Sequence, residues 1–170
     1  MSTCLRPTTA ADLAFVTALE RDPANNRFIG QWSDEEHLEA IAGRARREHW
    51  IIERDGRPAG YLIAYDGRDR AAGIYVKRLL VADKERGTGK AALAAFLDAA
   101  CARPGADHVW LQVFDWNARA QAVYVALGMR RYDPSPEEAA RLDRTMDAGR
   151  EGVSRMRIDA SAWKARSPAR

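Results

Sequence analysis

The sequence predicts a mixed α/β fold in which a single, largely antiparallel sheet is flanked by helices. The order of its patterns is strand, two helices, an antiparallel meander, and then strand-helix-strand-helix-strand. The chain has 170 residues, of which 46% are hydrophobic and 30% charged. This composition suits one domain, which we place over residues 1–160, followed by a flexible tail over residues 161–170.

The N-terminal part of the chain predicts one strand and two helices. A short strand is expected around Leu5, and Asp12 to Arg21 carries apolar residues at helical spacing. Ser33 is a good N-cap, and Glu36 completes a capping box with it. The second helix is therefore expected to start there and to run to about Arg46.

The antiparallel meander is predicted by a hairpin turn. Asp55-Gly56 lies between two apolar runs, His49 to Glu53 and Ala59 to Ala64, and this arrangement is typical of a two-residue hairpin. Gly67 to Gly73 is expected to form a polar turn. Ile74 to Val81 then predicts a third strand of the meander.

The C-terminal half alternates between helix and strand patterns. After the third strand, apolar residues at helical spacing predict a helix that Pro104-Gly105 ends. The tail from Ala160 is rich in Arg, Ala, Ser and Pro and is expected to fray. Between that helix and the tail, we expect five further elements: a strand over Val109 to Phe114, a helix over Asn117 to Leu127, a strand past Met129, a helical insertion over Pro134 to Gly149 and a strand over Val153 to Asp159.

Charge and cysteine content narrow the classes of function. The net charge is +3 and the pI about 9.1, but the basic residues are spread along the chain, so nucleic acid is not indicated. Cys4 and Cys101 match no redox or metal-ligand spacing, and the histidines lie in different elements. Without a signal sequence or an apolar run of about 20 residues, we expect a cytoplasmic protein that contacts no membrane and binds no metal.

A glycine cluster, Arg86-Gly87-Thr88-Gly89, follows the third strand and opens a helical pattern. Free backbone amides and the positive end of a helix dipole suit a phosphate group. A P-loop does not fit, because Lys84 stands where its first glycine belongs and Ala91 where its Ser or Thr belongs.

A dinucleotide-binding fingerprint fits no better. It could be drawn through Gly87, Gly89 and Ala92, but it requires an acidic residue about 20 positions further on. Asp115 is late for that role, and an antiparallel meander precedes the glycines where a parallel unit is needed.

A third pattern, Arg/Gln-x-x-Gly-x-Gly/Ala, is met by Arg86 to Ala91. Here the sequence resembles the GNAT superfamily of acetyl-CoA-dependent N-acetyltransferases, in which such a loop holds the coenzyme A pyrophosphate. Asn117 to Met129 resembles the other half of that cofactor site, with Asn117, Tyr124 and Gly128 in the expected places. The resemblance covers residues 74–132 and implies a GNAT-like acyl-CoA N-acyltransferase fold.

The resemblance also implies the residues of the site. Tyr124 would be the catalytic proton donor to the departing thiolate, and the strand end would pair with the pantetheine arm through its main chain. Asn117 and Tyr124 are seven residues apart and project from nearly the same helix face. The implied cofactor-binding residues are Leu79, Leu80, Val81, Arg86, Gly87, Thr88, Gly89, Lys90, Ala91, Asn117 and Tyr124.

The general base is left open. Many relatives carry a glutamate at the position of Lys77. Glu20, Asp66, Asp115 and a water molecule remain as alternatives, and the three carboxylates are expected at the surface or at element ends.

The expected reaction is transfer of acetyl from acetyl-CoA to a primary amine of a small molecule or peptide N-terminus, by direct attack in a ternary complex. The alternative is a non-catalytic acyl-CoA-binding module. The phrases KRLLV and VWLQV also resemble the branch related to ribosomal-protein N-terminal acetyltransferases. A homodimer is left open.

Overall fold

The computed structural model of the protein describes residues 2–26, 28–65, 72–138 and 152–166. Its helices and strands are β1 (Thr3–Pro7), α1 (Leu13–Arg21), α2 (Asp34–Ile41), β2 (Arg47–Arg54), β3 (Arg57–Tyr65), β4 (Ile74–Val81), α3 (Thr88–Cys101), β5 (His108–Phe114), α4 (Ala118–Ala126), β6 (Arg130–Arg131), β7 (Val153–Asp159) and α5 (Ala160–Arg166). Within these described ranges, seven strands form one sheet in the order β1-β2-β3-β4-β5-β7-β6. The predicted fold class is confirmed.

The chain divides into two compact units, and the first comprises residues 1–66 and 76–96. In it, β1, β2 and β3 pair antiparallel. Asp55 and Gly56 both have positive φ, 50° and 74°, which is the geometry of the predicted two-residue hairpin turn. The core of this unit is formed by α1 packing on the sheet through Val16, Leu19, Ile51, Tyr61, Ile63 and Leu80.

The second unit comprises residues 67–75 and 97–170. Here β5 pairs antiparallel with β7, which in turn pairs with the short strand β6. Trp110 anchors the unit: its ring stacks on Tyr75 at 4.3 Å between centroids, and its Nε1 donates to the carbonyl of Ala72 at 2.8 Å. The single domain expected over residues 1–160 stays a prediction.

Two predicted boundaries are wrong. Helix α2 begins with the predicted capping box at Ser33 but ends at Ile41, well before Arg46. The chain turns left-handed at Gly43, Ala45 and Arg46, with φ of 70°, 53° and 58°, and successive left-handed residues cannot continue a right-handed helix.

The described part of the tail, up to Arg166, forms α5 and does not fray as expected. Ala160 and Trp163 are buried, and the indole Nε1 of Trp163 donates to Oδ1 of Asp98 at 2.8 Å. Burial of the large Trp163 side chain stabilises this helix despite the polar composition of the segment. The predicted insertion over Pro134 to Gly149 and turn over Gly67 to Gly73 lie mostly outside the described residues.

Candidate active site

The predicted cofactor residues fall in both units. The strand end and the glycine loop belong to the first unit, whereas Asn117 and Tyr124 belong to the second. That both halves hold one ligand stays a prediction.

The loop between β4 and α3 turns sharply. Glu85 and Gly87 have φ of 68° and 75°, in the left-handed region that favours glycine. Thr88 begins α3, and the amide of Ala91 donates to the carbonyl of Gly87 at 3.0 Å. The amides ahead of Ala91 lie in the first helical turn, where N–H groups lack helical partners, so the loop can offer them to an anion.

Arg54 forms hydrogen bonds to this loop. Its Nη1 donates to Oγ1 of Thr88 at 2.9 Å and to the carbonyl of Arg86 at 3.4 Å. Thr88 is buried, whereas the side chains of Arg86 and Lys90 are exposed. The contacts therefore fix the backbone of the loop and leave its cationic side chains at the surface.

Gly89 is not required by the fold. Its backbone is not left-handed, and a Cβ added there would meet Cγ1 of Val81 at 3.8 Å, an ordinary van der Waals contact. Gly87 is different, because its positive φ favours glycine. A glycine that neither conformation nor packing demands fits a place where a ligand approaches the backbone.

The predicted binding residues of β4 point alternately to the two faces of the sheet. Lys77, Leu79 and Val81 are half-buried on one face, while Arg78 and Leu80 are buried on the other. The side chain of Leu80 belongs to the core of the first unit. Its predicted role in the site is therefore limited to its main chain.

Helix α4 carries the two predicted residues of the second unit. Asn117 is the N-cap, and its Oδ1 accepts from the amide of Ala120 at 3.2 Å, so its NH2 group is not used by the cap. Gly128, with φ of 89°, follows the helix end. Burial raises the pKa of Tyr124 to about 12, so its phenol stays protonated at neutral pH.

A buried carboxylate, Glu20, lies at the centre of a polar network in the first unit. Its Oε1 accepts from Nη1 of Arg78 at 2.6 Å and from the hydroxyl of Tyr61 at 2.5 Å. Its Oε2 accepts from the amide of Trp32 at 3.0 Å and lies 3.3 Å from Nε2 of His37. Every oxygen of this carboxylate is therefore occupied by the protein.

These contacts set the pKa of Glu20. Burial alone would raise it, but the contacts from His37 and Tyr61 and the charge of Arg78 outweigh burial and lower the pKa to about 2. Glu20 is therefore an ionised and very weak base. Of the two expected positions, the helix end is confirmed, because Glu20 precedes the last residue of α1, and the surface is wrong, since only 1% of the residue is exposed.

Two buried histidines extend the network. Nδ1 of His37 lies 3.1 Å from Nε2 of His49, whose Nδ1 lies 2.8 Å from Oγ1 of Thr8. Burial, and then the neighbouring His37, lower the pKa of His49 to about 4. His49 is therefore neutral at physiological pH, and each of its nitrogens has a polar neighbour.

Three cationic side chains surround the indole of Trp32. The guanidinium carbon of Arg78 lies 4.6 Å from the ring centroid, that of Arg47 5.4 Å and Nζ of Lys77 6.0 Å. These distances are within cation–π range. Lys77 stands at the position where many relatives carry glutamate, and it places its ammonium group beside the ring of Trp32.

The remaining candidate bases have different outcomes. Asp115 lies at the surface, where it accepts from the hydroxyl of Ser154 and lies 3.7 Å from Nη2 of Arg131. Asp66 lies outside the described residues.

The buried pair of Glu20 and Arg78 was missed by the sequence reasoning, although its spacing carried a signal. Glu20 follows Val16 by four residues, which puts both on the buried face of α1. Arg78 alternates with Leu80 along β4 and shares its buried face. A charged residue at an apolar position of each pattern could have indicated a buried ion pair.

Two further kinds of site do not occur among the described residues. These contain no group of three or more His, Cys, Asp or Glu side chains that could hold a metal ion. In the same ranges, no helix is long and apolar enough to cross a membrane.

Known proteins resemble this chain both in sequence and in fold. The sequence matches the acetyltransferase (GNAT) family over residues 14–129. No curated protein matches it significantly.

Solved structures match the whole fold at low sequence identity. An aminoglycoside acetyltransferase, AAC(6')-Ib, in complex with coenzyme A and kanamycin matches with a TM-score of 0.77 at 17% identity, covering 99% of this chain and 100% of the other. The spermidine N-acetyltransferase SpeG from Vibrio cholerae, as an F149G mutant, gives 0.73 at 18% identity, covering 97% and 98%. An acetyltransferase from Thermus thermophilus gives 0.67 at 23%, covering 94% and 97%.

Proposed function

Since the chain belongs to the acetyltransferase (GNAT) family, its co-substrate is acetyl-CoA, and we propose that it acetylates a primary amine. The acceptor is a small molecule or a peptide N-terminus, and the amine attacks directly in a ternary complex. The observation that carries this proposal is the family match over residues 14–129, which includes the glycine loop and α4.

The glycine loop suits the pyrophosphate of the coenzyme. Acetyl-CoA supplies the thioester acetyl group when it is bound. We assign its pyrophosphate to the amides of Arg86 to Ala91 and its pantetheine arm to the main chain of Leu79 to Val81. The left-handed turn at Gly87 and the space at Gly89 support this assignment. The exposed Arg86 and Lys90 add positive charge beside the amides.

Tyr124 is assigned as the proton donor, with Asn117 beside the cofactor. A phenol with a pKa of about 12 holds its proton at neutral pH, so it is available as a donor when negative charge develops on the sulfur as the carbon–sulfur bond breaks. The NH2 group of Asn117 remains available to a ligand because the helix cap uses only Oδ1.

We assign deprotonation of the acceptor ammonium to water. Glu20 is poorly suited to accept this proton, because its pKa is about 2 and both of its oxygens are occupied. Lys77 replaces the glutamate of many relatives and cannot serve as a base while it is protonated. Water can perform the step when the amine pKa lies close to the working pH.

Two classes of acceptor have some support. KRLLV and VWLQV resemble the branch related to ribosomal-protein N-terminal acetyltransferases, which is compatible with a peptide N-terminus as the acceptor but does not fix it. Two of the structural neighbours are named for small-molecule amines, an aminoglycoside and spermidine, and this favours a small-molecule amine as the acceptor. A cytoplasmic location is also proposed, because Cys4 and Cys101 are both free thiols.

Initial-rate kinetics test the proposal. Thiol release from acetyl-CoA is measured while acetyl-CoA and an amine acceptor are varied together. Direct attack in a ternary complex predicts intersecting double-reciprocal lines, whereas a covalent acetyl-enzyme predicts parallel lines. Tight coenzyme binding without thiol release for any amine would instead indicate a non-catalytic acyl-CoA-binding module.

A further inference from the structure

A polar cavity of about 310 Å³ opens in the second unit. It lies beside β5, β7 and the segment that follows β6. Its walls include two arginines and a single carboxylate. The polar side chains that line it are Gln112, Arg131, Tyr132, Asp133, Ser154 and Arg155.

Arg155 is the unusual member of this lining. Its Nε is buried and has no hydrogen-bond partner within the described part of the chain. Leaving a buried donor unsatisfied is unfavourable, and more so when the group is charged. Arg157, two residues along β7, shows the ordinary arrangement, because it is paired with Asp159 at 2.8 Å and lies 3.7 Å from Glu138.

The charges of the lining favour an anion. Arg131 and Arg155 contribute two positive charges, and Asp133 contributes one negative charge. Arg131 uses Nη2 to donate to Oε1 of Gln121 at 2.8 Å and lies 3.7 Å from Asp115. That partial pairing leaves Arg155 as the guanidinium best placed to receive a new acceptor group.

We propose that this cavity binds a carboxylate or phosphate group carried by the acetyl acceptor, with Arg155 as its main contact. The inference rests on the proposed function, and it narrows the acceptor to an amine that also bears an acidic group. Such a substrate differs from spermidine, which carries only amino groups.

Matched acceptor pairs test this inference. Tyrosine and tyramine, histidine and histamine, and lysine and cadaverine each differ by one carboxylate and share an amine. We expect kcat/KM to be at least tenfold higher for the member with the carboxylate. Arg155→Gln should abolish that preference, chiefly through KM, and Arg155→Lys should retain part of it.

Arg130→Gln is the matched control. Arg130 is an exposed arginine of the neighbouring strand, is paired with Asp159 at 2.8 Å and does not line the cavity. Its loss changes the net charge equally and should leave the preference intact. Thermal unfolding of each variant checks that it is folded.

Three outcomes would overturn the inference. The first is a preference of the parent protein for the amine without the carboxylate, and the second is an unchanged preference in Arg155→Gln. The third is competition by inorganic phosphate that Arg155→Gln removes while the acceptor pairs show no difference, because the site would then take a free anion.

Failure of the proposed function is distinguishable. It would appear as the absence of thiol release for both members of every pair. The preference would then be read by calorimetry of the same pairs, which requires no turnover. Equal binding of both members to the parent protein would overturn the inference as well.

Discussion

Nη1 of Arg78 lies 2.6 Å from Oε1 of Glu20, and the two side chains are 6% and 1% exposed. This buried ion pair joins α1 to β4 within the first unit. Oε2 of the same carboxylate accepts from the amide of Trp32, and the guanidinium of Arg78 lies over the indole of Trp32. Glu20 therefore contacts Trp32 in two ways. It accepts a hydrogen bond from the backbone amide of Trp32, and it binds Arg78, whose guanidinium lies over the indole ring.

We expect Glu20→Gln to destabilise the fold strongly. Removing one partner of a buried ion pair leaves the other charge uncompensated, at a cost of about 3–5 kcal/mol. Urea unfolding at neutral pH measures the change. Asp34→Asn is the control, because Asp34 pairs with Arg21 at the surface at 3.5 Å, and exposed pairs contribute at most about 1 kcal/mol. Equal losses in the two variants would contradict a structural role for the buried pair.

Stability should fall as the solution is acidified below pH 6.5. His49 has a pKa of about 4 in the folded state and an ordinary value of 6.5, so between these values the unfolded chain binds more protons. The contribution of His49 is present above pH 6.5 and is lost as the pH falls to about 4. It amounts to at most about 3.5 kcal/mol, since one pKa unit corresponds to about 1.4 kcal/mol.

Glu20 adds a second loss at lower pH. Its folded pKa of about 2 lies below the ordinary 4.5, so its contribution is present above pH 4.5 and disappears towards pH 2. Urea unfolding across pH 4–7 isolates the histidine, because His49→Gln should flatten the curve in that range. A parent curve that is already flat there would show that His49 titrates normally.

Replacing Gly89 should affect coenzyme binding more than folding. A Cβ at this position meets only Val81, at 3.8 Å, so Gly89→Ala should retain the stability of the parent. Gly89→Leu should block close approach of a ligand to the loop amides and weaken coenzyme A binding by at least tenfold. Calorimetry measures both variants.

Gly56→Ala provides the opposite pattern as a control. Its left-handed φ of 74° in the hairpin turn predicts a loss of stability without a loss of affinity. Were Gly89→Leu to bind coenzyme A as tightly as the parent, the loop would not be the pyrophosphate site.

Tyr124→Phe should lower the chemical rate and retain most coenzyme affinity. A proton donor acts only as the carbon–sulfur bond breaks, so its loss affects the transition state and leaves ground-state binding largely intact. General acid catalysis contributes about 100- to 10,000-fold, and we expect a loss near the lower end because water can partly substitute. Single-turnover rates are required, since slow product release can hide a chemical defect.

Asn117→Ala should behave differently. It removes the N-cap of α4, which typically costs about 1 kcal/mol, and a contact assigned to the coenzyme. Affinity or stability should therefore fall more than the chemical rate. An unchanged single-turnover rate in Tyr124→Phe at saturating acceptor would remove Tyr124 from the mechanism.

The local patterns of the sequence were sufficient for most of the fold. The capping box at Ser33, the hairpin at Asp55-Gly56 and the strand over Ile74 to Val81 depend on short-range geometry, and each is confirmed. The failure at the C-terminal end concerns a long-range contact. Helix α5 depends on Trp163 reaching Asp98, far away in the sequence, and local composition cannot indicate such a contact.

In the candidate site, too, features with a local sequence signature could be predicted, and features that depend on distant residues could not. The Arg86 to Ala91 loop could be recognised because a glycine-rich turn has a local signature. The spacing of Glu20 could have indicated that it is buried, but its full set of partners could not be predicted, because they come from β3, β4 and the segment before α2 together. The unsatisfied Nε of Arg155 has no sequence signature at all, since it depends on which side chains fail to reach it.

Transfer of an isotopically labelled acetyl group tests the central claim most directly. The protein is incubated with acetyl-CoA labelled in the acetyl group and with the acceptor pairs, and the products are weighed by mass spectrometry. We predict N-acetylated amine carrying the label, formed in equal amount to the free thiol and greatly reduced with Gly89→Leu. Coenzyme A binding without any labelled amine, for every acceptor, would contradict an acetyltransferase activity.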